Sequence, residues 1–101
     1  MSEHNEQVAL FQWAANHEVK YPMLKFAFHI PNGGYRHWTT AVNLKKAGVK
    51  SGVPDIYLPV PSHNFHGLFI EMKIGKNKPT SNQERWIFDL AQLGYMVSVC
   101  Y

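Results

Sequence analysis

The chain carries one cysteine, Cys100, in 101 residues. A lone thiol cannot close an internal disulfide, so a disulfide-stapled scaffold is excluded and a reducing, intracellular setting is expected. Nor can it complete a cysteine-rich zinc site, and the six histidines lack zinc-ligand spacing. No apolar run reaches the ~18 residues that a membrane-spanning helix needs. The first residues, Met1-Ser2-Glu3-His4-Asn5-Glu6, are polar and acidic, so no secretory signal is expected there. Repeats, low-complexity tracts and linkers are lacking too. One domain over residues 1–101 is therefore expected.

What is present points to a folded globule. Hydrophobic residues make up 46% of the chain and aromatics 14%, more than a disordered segment holds. The formal charge of +3 permits a nucleic-acid partner without requiring one.

Local patterns divide the chain into seven elements. Ser2 is placed to cap a helix over residues 3–18, with Glu3 and Glu6 in its first turn, where the helix dipole favours acids. Tyr21-Pro22 ends it. Leu24, Phe26, Phe28 and Ile30 alternate and predict a strand over 24–30. The loop Pro31-Asn32-Gly33-Gly34 follows, and then a helix over 37–47 that stops at Gly48. Two short strands come next, one beginning at Asp55 and one over Gly67 to Ile74, joined by a turn over residues 61–66. Pro59 and Pro61 keep the first of these short or at an edge. Ser81-Asn82-Gln83-Glu84 reads as a capping box opening a helix. Trp86, Ile87, Leu90 and Leu93 give that helix an apolar stripe, and Gly94 closes it. Residues 95–101 form a last strand. The final strand-helix-strand unit implies a parallel crossover, while the hairpin strands are antiparallel. The expected fold is α/β, a mixed sheet flanked by helices in the order αβαββαβ.

The hairpin carries the most informative chemistry. Asp55 opens its first strand, and Glu71 and Lys73 share one face of its second. One reading is a solvated strand face with a cross-strand ion pair. The other is a phosphodiesterase site. Hydrolysing a phosphodiester requires an in-line water and an offset for the charge on phosphate. Carboxylates holding Mg²⁺ or Mn²⁺ supply both, because these hard cations prefer oxygen. Asp55 and Glu71 would be ligands, with a backbone carbonyl such as that of Met72 as a third. Lys73 would steady the developing charge or orient the water.

Pro54-Asp55, then fifteen residues, then Glu71-Met72-Lys73 resembles the PD-(D/E)XK nuclease signature. The surroundings narrow this. Glu3-x-x-x-Gln7, Ile30-Pro31-Asn32-Gly33-Gly34-x-Arg36, Gly48-Val49-Lys50-Ser51-Gly52-Val53-Pro54-Asp55, Ser81-x-Gln83-x-x-Trp86 and Gly94-Tyr95-x-Val97 resemble, in order, the VRR-NUC (virus-type replication-repair nuclease) family. The likeness looks closest to its small stand-alone phage members.

That resemblance implies a restriction-endonuclease-like fold, metal binding at Asp55 and Glu71, and a catalytic lysine at Lys73. It implies a first-helix acid, matched by Glu3 with Glu6 as the alternative, and a site glutamine at Gln83, which could equally serve only as a cap. Its small members resemble homodimeric, Mg²⁺- or Mn²⁺-dependent endonucleases of branched DNA such as four-way junctions, acting in a bacterial host's cytoplasm. Asn32, Gly33, Arg36, Lys50, Lys76 and Lys78 are the candidate DNA contacts, each with a plain reading as turn or solvated charge. A non-catalytic junction-binding module and an RNA nuclease remain as alternatives.

Overall fold

The structure is a computed structural model that describes residues 2–31 and 38–101. Helix α1 spans Glu3–His17, α2 Trp38–Lys46 and α3 Ser81–Gln92. Strands β1 (Phe28–His29), β2 (Ile56–Leu58), β3 (Leu68–Met72) and β4 (Met96–Cys100) form one sheet in the order β1-β2-β3-β4. The first three strands run antiparallel and β3 pairs β4 in parallel. The mixed sheet with flanking helices is thus the expected α/β architecture.

Helix α1 begins as expected: Ser2 Oγ accepts the Asn5 N–H at 3.1 Å, satisfying one of the unpaired first-turn donors. The strand expected over 24–30 does not form as such. Pro22 sits at the start of a 3₁₀ turn, Pro22–Phe26, where its fixed φ suits a helical start. The Leu24 N–H bonds the Tyr21 carbonyl and the Ala27 N–H the Leu24 carbonyl, so these groups are not free for a ladder. Only Phe28 and His29 remain extended, pairing with Tyr57 and Ile56. The alternation of Phe26 and Phe28 reflected no buried face, since both are exposed.

Helix α3 starts one residue earlier in its capping pattern than the sequence suggested. The cap is Thr80, not Ser81: Thr80 Oγ1 accepts the Gln83 N–H at 3.2 Å, and Gln83 Oε1 accepts the Thr80 N–H at 2.9 Å. Thr80 wins because it is itself extended, the conformation an N-cap needs. At the other end Gly94 takes φ +99°, with its N–H on the Ala91 carbonyl and the Tyr95 N–H on that of Leu90. This is a Schellman ending, which turns the chain straight into β4. Leu90 is buried, whereas Leu93 of the expected stripe is exposed.

Both faces of the sheet are covered. Alternation puts Tyr57 and Phe69 on one face, stacked at 4.3 Å between ring centroids, with Tyr95 edge-on to Phe69 at 5.3 Å. Ile56 and Met72 fill the other face. Helix α1 packs against the 3₁₀ turn and β3, and α3 against β4. A solvated face for Glu71 and Lys73 is thereby ruled out: α1 lies against the strand that carries Glu71.

Candidate active site

The register of β2 and β3 brings the two acids together. Ile56 faces Ile70, Tyr57 faces Phe69 and Leu58 faces Leu68. One step further along the same pairing, Asp55 lies opposite Glu71. Both acids stand just where the short β2 ladder gives out, and neither Asp55 nor Lys73 is inside its strand, as the sequence had suggested. Lys73 still continues the ladder, its N–H donating to the Cys100 carbonyl at 2.8 Å.

Asp55 is held from two sides. Its Oδ2 accepts the Met72 N–H at 2.9 Å. Its carbonyl accepts the Ile30 N–H at 2.6 Å and the His29 Nδ1–H at 3.0 Å. The approach to Asp55 is anchored as well. Asn82 Nδ2 donates to the Ser51 carbonyl at 2.9 Å, and Gly52, at φ +91°, packs so closely that a Cβ there would meet the Asn82 side chain at 2.8 Å. Helix α3 therefore clamps the loop that delivers Asp55 to the sheet.

Glu71 is buried without full compensation. Its side chain is 1% exposed, and among the described residues Oε1 has no hydrogen-bond partner. Burial pushes its carboxyl up to about 9, helped by the hydrogen bond to Asp55, the Asp55 charge and the more distant Glu3 charge; the Lys73 ammonium opposes the shift. Two ionised carboxylates facing each other across an antiparallel pair would repel, which helps Glu71 keep its proton, and a buried polar atom left unpaired costs roughly 1–3 kcal/mol. Lys73 is 8% exposed and close enough to offset part of that charge.

The sequence-derived candidates divide on this geometry. Asp55, Glu71, the Met72 backbone and Lys73 converge. In a strand a residue's N–H and C=O point to the same edge, so the Met72 carbonyl lies on the Asp55 side with its N–H. Glu3 acts electrostatically on Glu71, and Glu6 is not among the groups that do. Among the described residues no three His, Cys, Asp or Glu side chains lie close enough to hold one ion, so Glu3 stands back from the Asp55–Glu71 pair rather than completing a three-carboxylate cage. The Gln83 side-chain oxygen is committed to the α3 cap. Lys50, Lys76 and Lys78 are exposed, Lys50 on the wall of a cavity of about 500 Å³ beside α2. Asn32, Gly33 and Arg36 lie outside the described residues.

Sequence reasoning missed His29 and Asn82. The only available signal for His29 was its place on the strand leading into the Asn32-Gly33 loop. Asn82 lay inside the capping motif and was read as part of it.

The VRR-NUC domain model matches residues 1–101. A solved structure described as a VRR_NUC domain protein is 30% identical and superposes with a TM-score of 0.79, over 98% of this chain and 76% of that one. Among curated proteins none matches significantly. With the family model spanning every residue and its signature acids meeting across β2 and β3, the chain belongs to the VRR-NUC family, nucleases of the PD-(D/E)XK type.

Proposed function

We propose that the protein is a Mg²⁺- or Mn²⁺-dependent endonuclease that hydrolyses phosphodiester bonds in branched DNA, four-way junctions included, and that it works as a homodimer. The observation that carries the reading is the buried Glu71 Oε1, with no partner among the described residues, beside the Asp55 carboxylate. A fold keeps such a strained pair where a cation is to relieve it.

The donor set fits a hard divalent cation. Asp55, Glu71 and the Met72 carbonyl offer oxygen only. Two carboxylates, with no third close to them among the described residues, suit Mg²⁺, which retains several waters and is held by one or two carboxylates together with substrate phosphate. When bound, such an ion supplies Lewis acidity at the phosphate and a water of lowered pKa. The remaining work belongs to the chain. Glu71 gives up its proton as the site loads, and Asp55, fixed by Met72, Ile30 and His29, holds its orientation. Lys73, packed beside Glu71, offsets the charge that grows on the phosphate or aligns the attacking water. Glu3 orients water from its greater distance, with Glu6 as the alternative first-helix acid. Lys50, Lys76, Lys78 and the Asn32-Gly33-x-Arg36 loop meet the phosphate backbone, and Gln83 supports the site through the α3 cap.

The test is cleavage of a four-way junction, a linear duplex and a structured RNA, each with Mg²⁺, Mn²⁺ or EDTA. Metal-dependent cutting of the junction, absent in Asp55→Asn, supports the reading. Metal-independent binding without cutting would instead favour a junction-binding module, and cutting confined to RNA an RNA nuclease. Two sites related by a two-fold axis would cut two strands symmetrically. Sedimentation at about twice 11.6 kDa supports that arrangement, and a strict monomer opposes it.

A further inference from the structure

The Asp55 peptide carbonyl takes two donors, although an ordinary ladder position supplies one. The first is expected, the Ile30 N–H at 2.6 Å, which continues the β1–β2 pairing one residue beyond its last named pair. The second is a side chain, His29 Nδ1 at 3.0 Å. It reaches Asp55 from the neighbouring strand at the point where regular pairing stops. Strand β1 is only two residues long and β2 three, so backbone pairing alone gives little hold on Asp55, the residue just before β2. Pro54, immediately before Asp55, has no N–H to add. The carboxylate end is tied to Met72. The backbone end is tied to β1, and His29 adds a side chain to that second tie.

From this geometry we infer that His29 is a positioning residue for the nuclease reaction: its Nδ1–H fixes the Asp55 peptide and so aims the Asp55 carboxylate across the sheet at Glu71. The tautomer follows from the partner. A carbonyl accepts only, so Nδ1 carries the proton in this bond. The role resembles that of groups behind metal ligands elsewhere, which set ligand orientation without touching the ion. The inference rests on the nuclease reading of the Asp55–Glu71 pair.

Two variants separate the donor from the ring. His29→Phe keeps a planar ring and removes the donor. His29→Asn places an amide N–H at the same number of bonds from Cα as Nδ1. Because His29 is exposed, both are expected to fold, and His29→Leu replaces His29→Phe should the latter fail to. With a four-way junction and Mg²⁺, loss of one such hydrogen bond is expected to lower kcat about tenfold in His29→Phe, leaving KM and DNA affinity in EDTA unchanged. His29→Asn is expected to restore most of kcat. Calorimetric Mn²⁺ affinity in the absence of DNA should weaken in His29→Phe and recover in His29→Asn, a readout independent of turnover. Wild-type kcat and Mn²⁺ affinity in His29→Phe would overturn the inference, and so would a His29→Asn as impaired as His29→Phe. Failure of the wild type itself to cut would instead overturn the nuclease reading beneath it.

Discussion

Replacing Glu71 by Gln separates what this carboxylate does for the reaction from what it costs the fold. In the unfolded chain the carboxyl titrates near 4.5, and in the folded chain it holds its proton up to about 9, chiefly because it is buried. Between those values the unfolded state releases a proton that the folded state keeps. Ionisation therefore favours unfolding, and stability falls as pH rises through the window. Each pH unit in it is worth about 1.4 kcal/mol, so at pH 8 the loss is about 5 kcal/mol relative to acid conditions. A glutamine has no such term. It matches the glutamate in size and donates an N–H to Asp55. In EDTA, Glu71→Gln is thus expected to melt well above the wild type at pH 8, by more than about 10 °C if 1 kcal/mol shifts a domain of this size by about 4–8 °C. The gap should close toward pH 4.5. Added Mn²⁺ should stabilise the wild type and not the variant, which should have no nuclease activity. Thermal melts by circular dichroism from pH 4.5 to 9 provide the assay. Parallel melting curves for the two proteins, with no narrowing toward acid pH, would mean that Glu71 does not keep its proton in the folded chain.

Two further outcomes follow from the same geometry. Lys73→Met keeps the buried stem and removes the charge, so cleavage should fall at least about a hundredfold while junction binding in EDTA persists, a loss in line with removal of one transition-state charge partner. Thr80→Ala and Gln83→Ala each break the same reciprocal cap, so each should cost about 1 kcal/mol of stability and the double variant little more than either alone. Chemical denaturation measures this, and a Gln83→Ala that loses kcat far beyond Thr80→Ala would show a separate role for Gln83 at the site.

Much of this arrangement is legible before any coordinates. The hairpin is, because Asp55, the proline-marked end of the first strand and the alternation of Leu68 to Met72 fix which side chains share a face. The pairing of Asp55 with Glu71 follows once the register is known. The burial of Glu71 is not legible. Charged residues on a strand normally face water, and only tertiary packing of α1 against β3 reverses that expectation. The segment before the glycine loop misleads for a related reason. Leu24, Phe26 and Phe28 alternate as a strand does, but Pro22 starts a 3₁₀ turn whose i→i+3 bonds occupy the backbone first. The α3 cap shifts by one residue because Thr80 and Ser81 are both competent caps, and sequence alone cannot say which is extended. Glu3 and Glu6 lie a turn apart, and the distinction between them comes only from which one acts on Glu71.

The Asp55–Glu71 pair should exchange a proton for a cation. Calorimetric titration of the metal-free protein with Mn²⁺ at pH 7.5, repeated in buffers of different ionisation enthalpy, tests it directly, since binding to a protonated carboxyl must release protons. Binding with release of about one proton per site is expected, and both the binding and the proton release should be lost in Asp55→Asn and in Glu71→Gln. Binding that is indifferent to buffer and to both substitutions, or no binding at all, would contradict it.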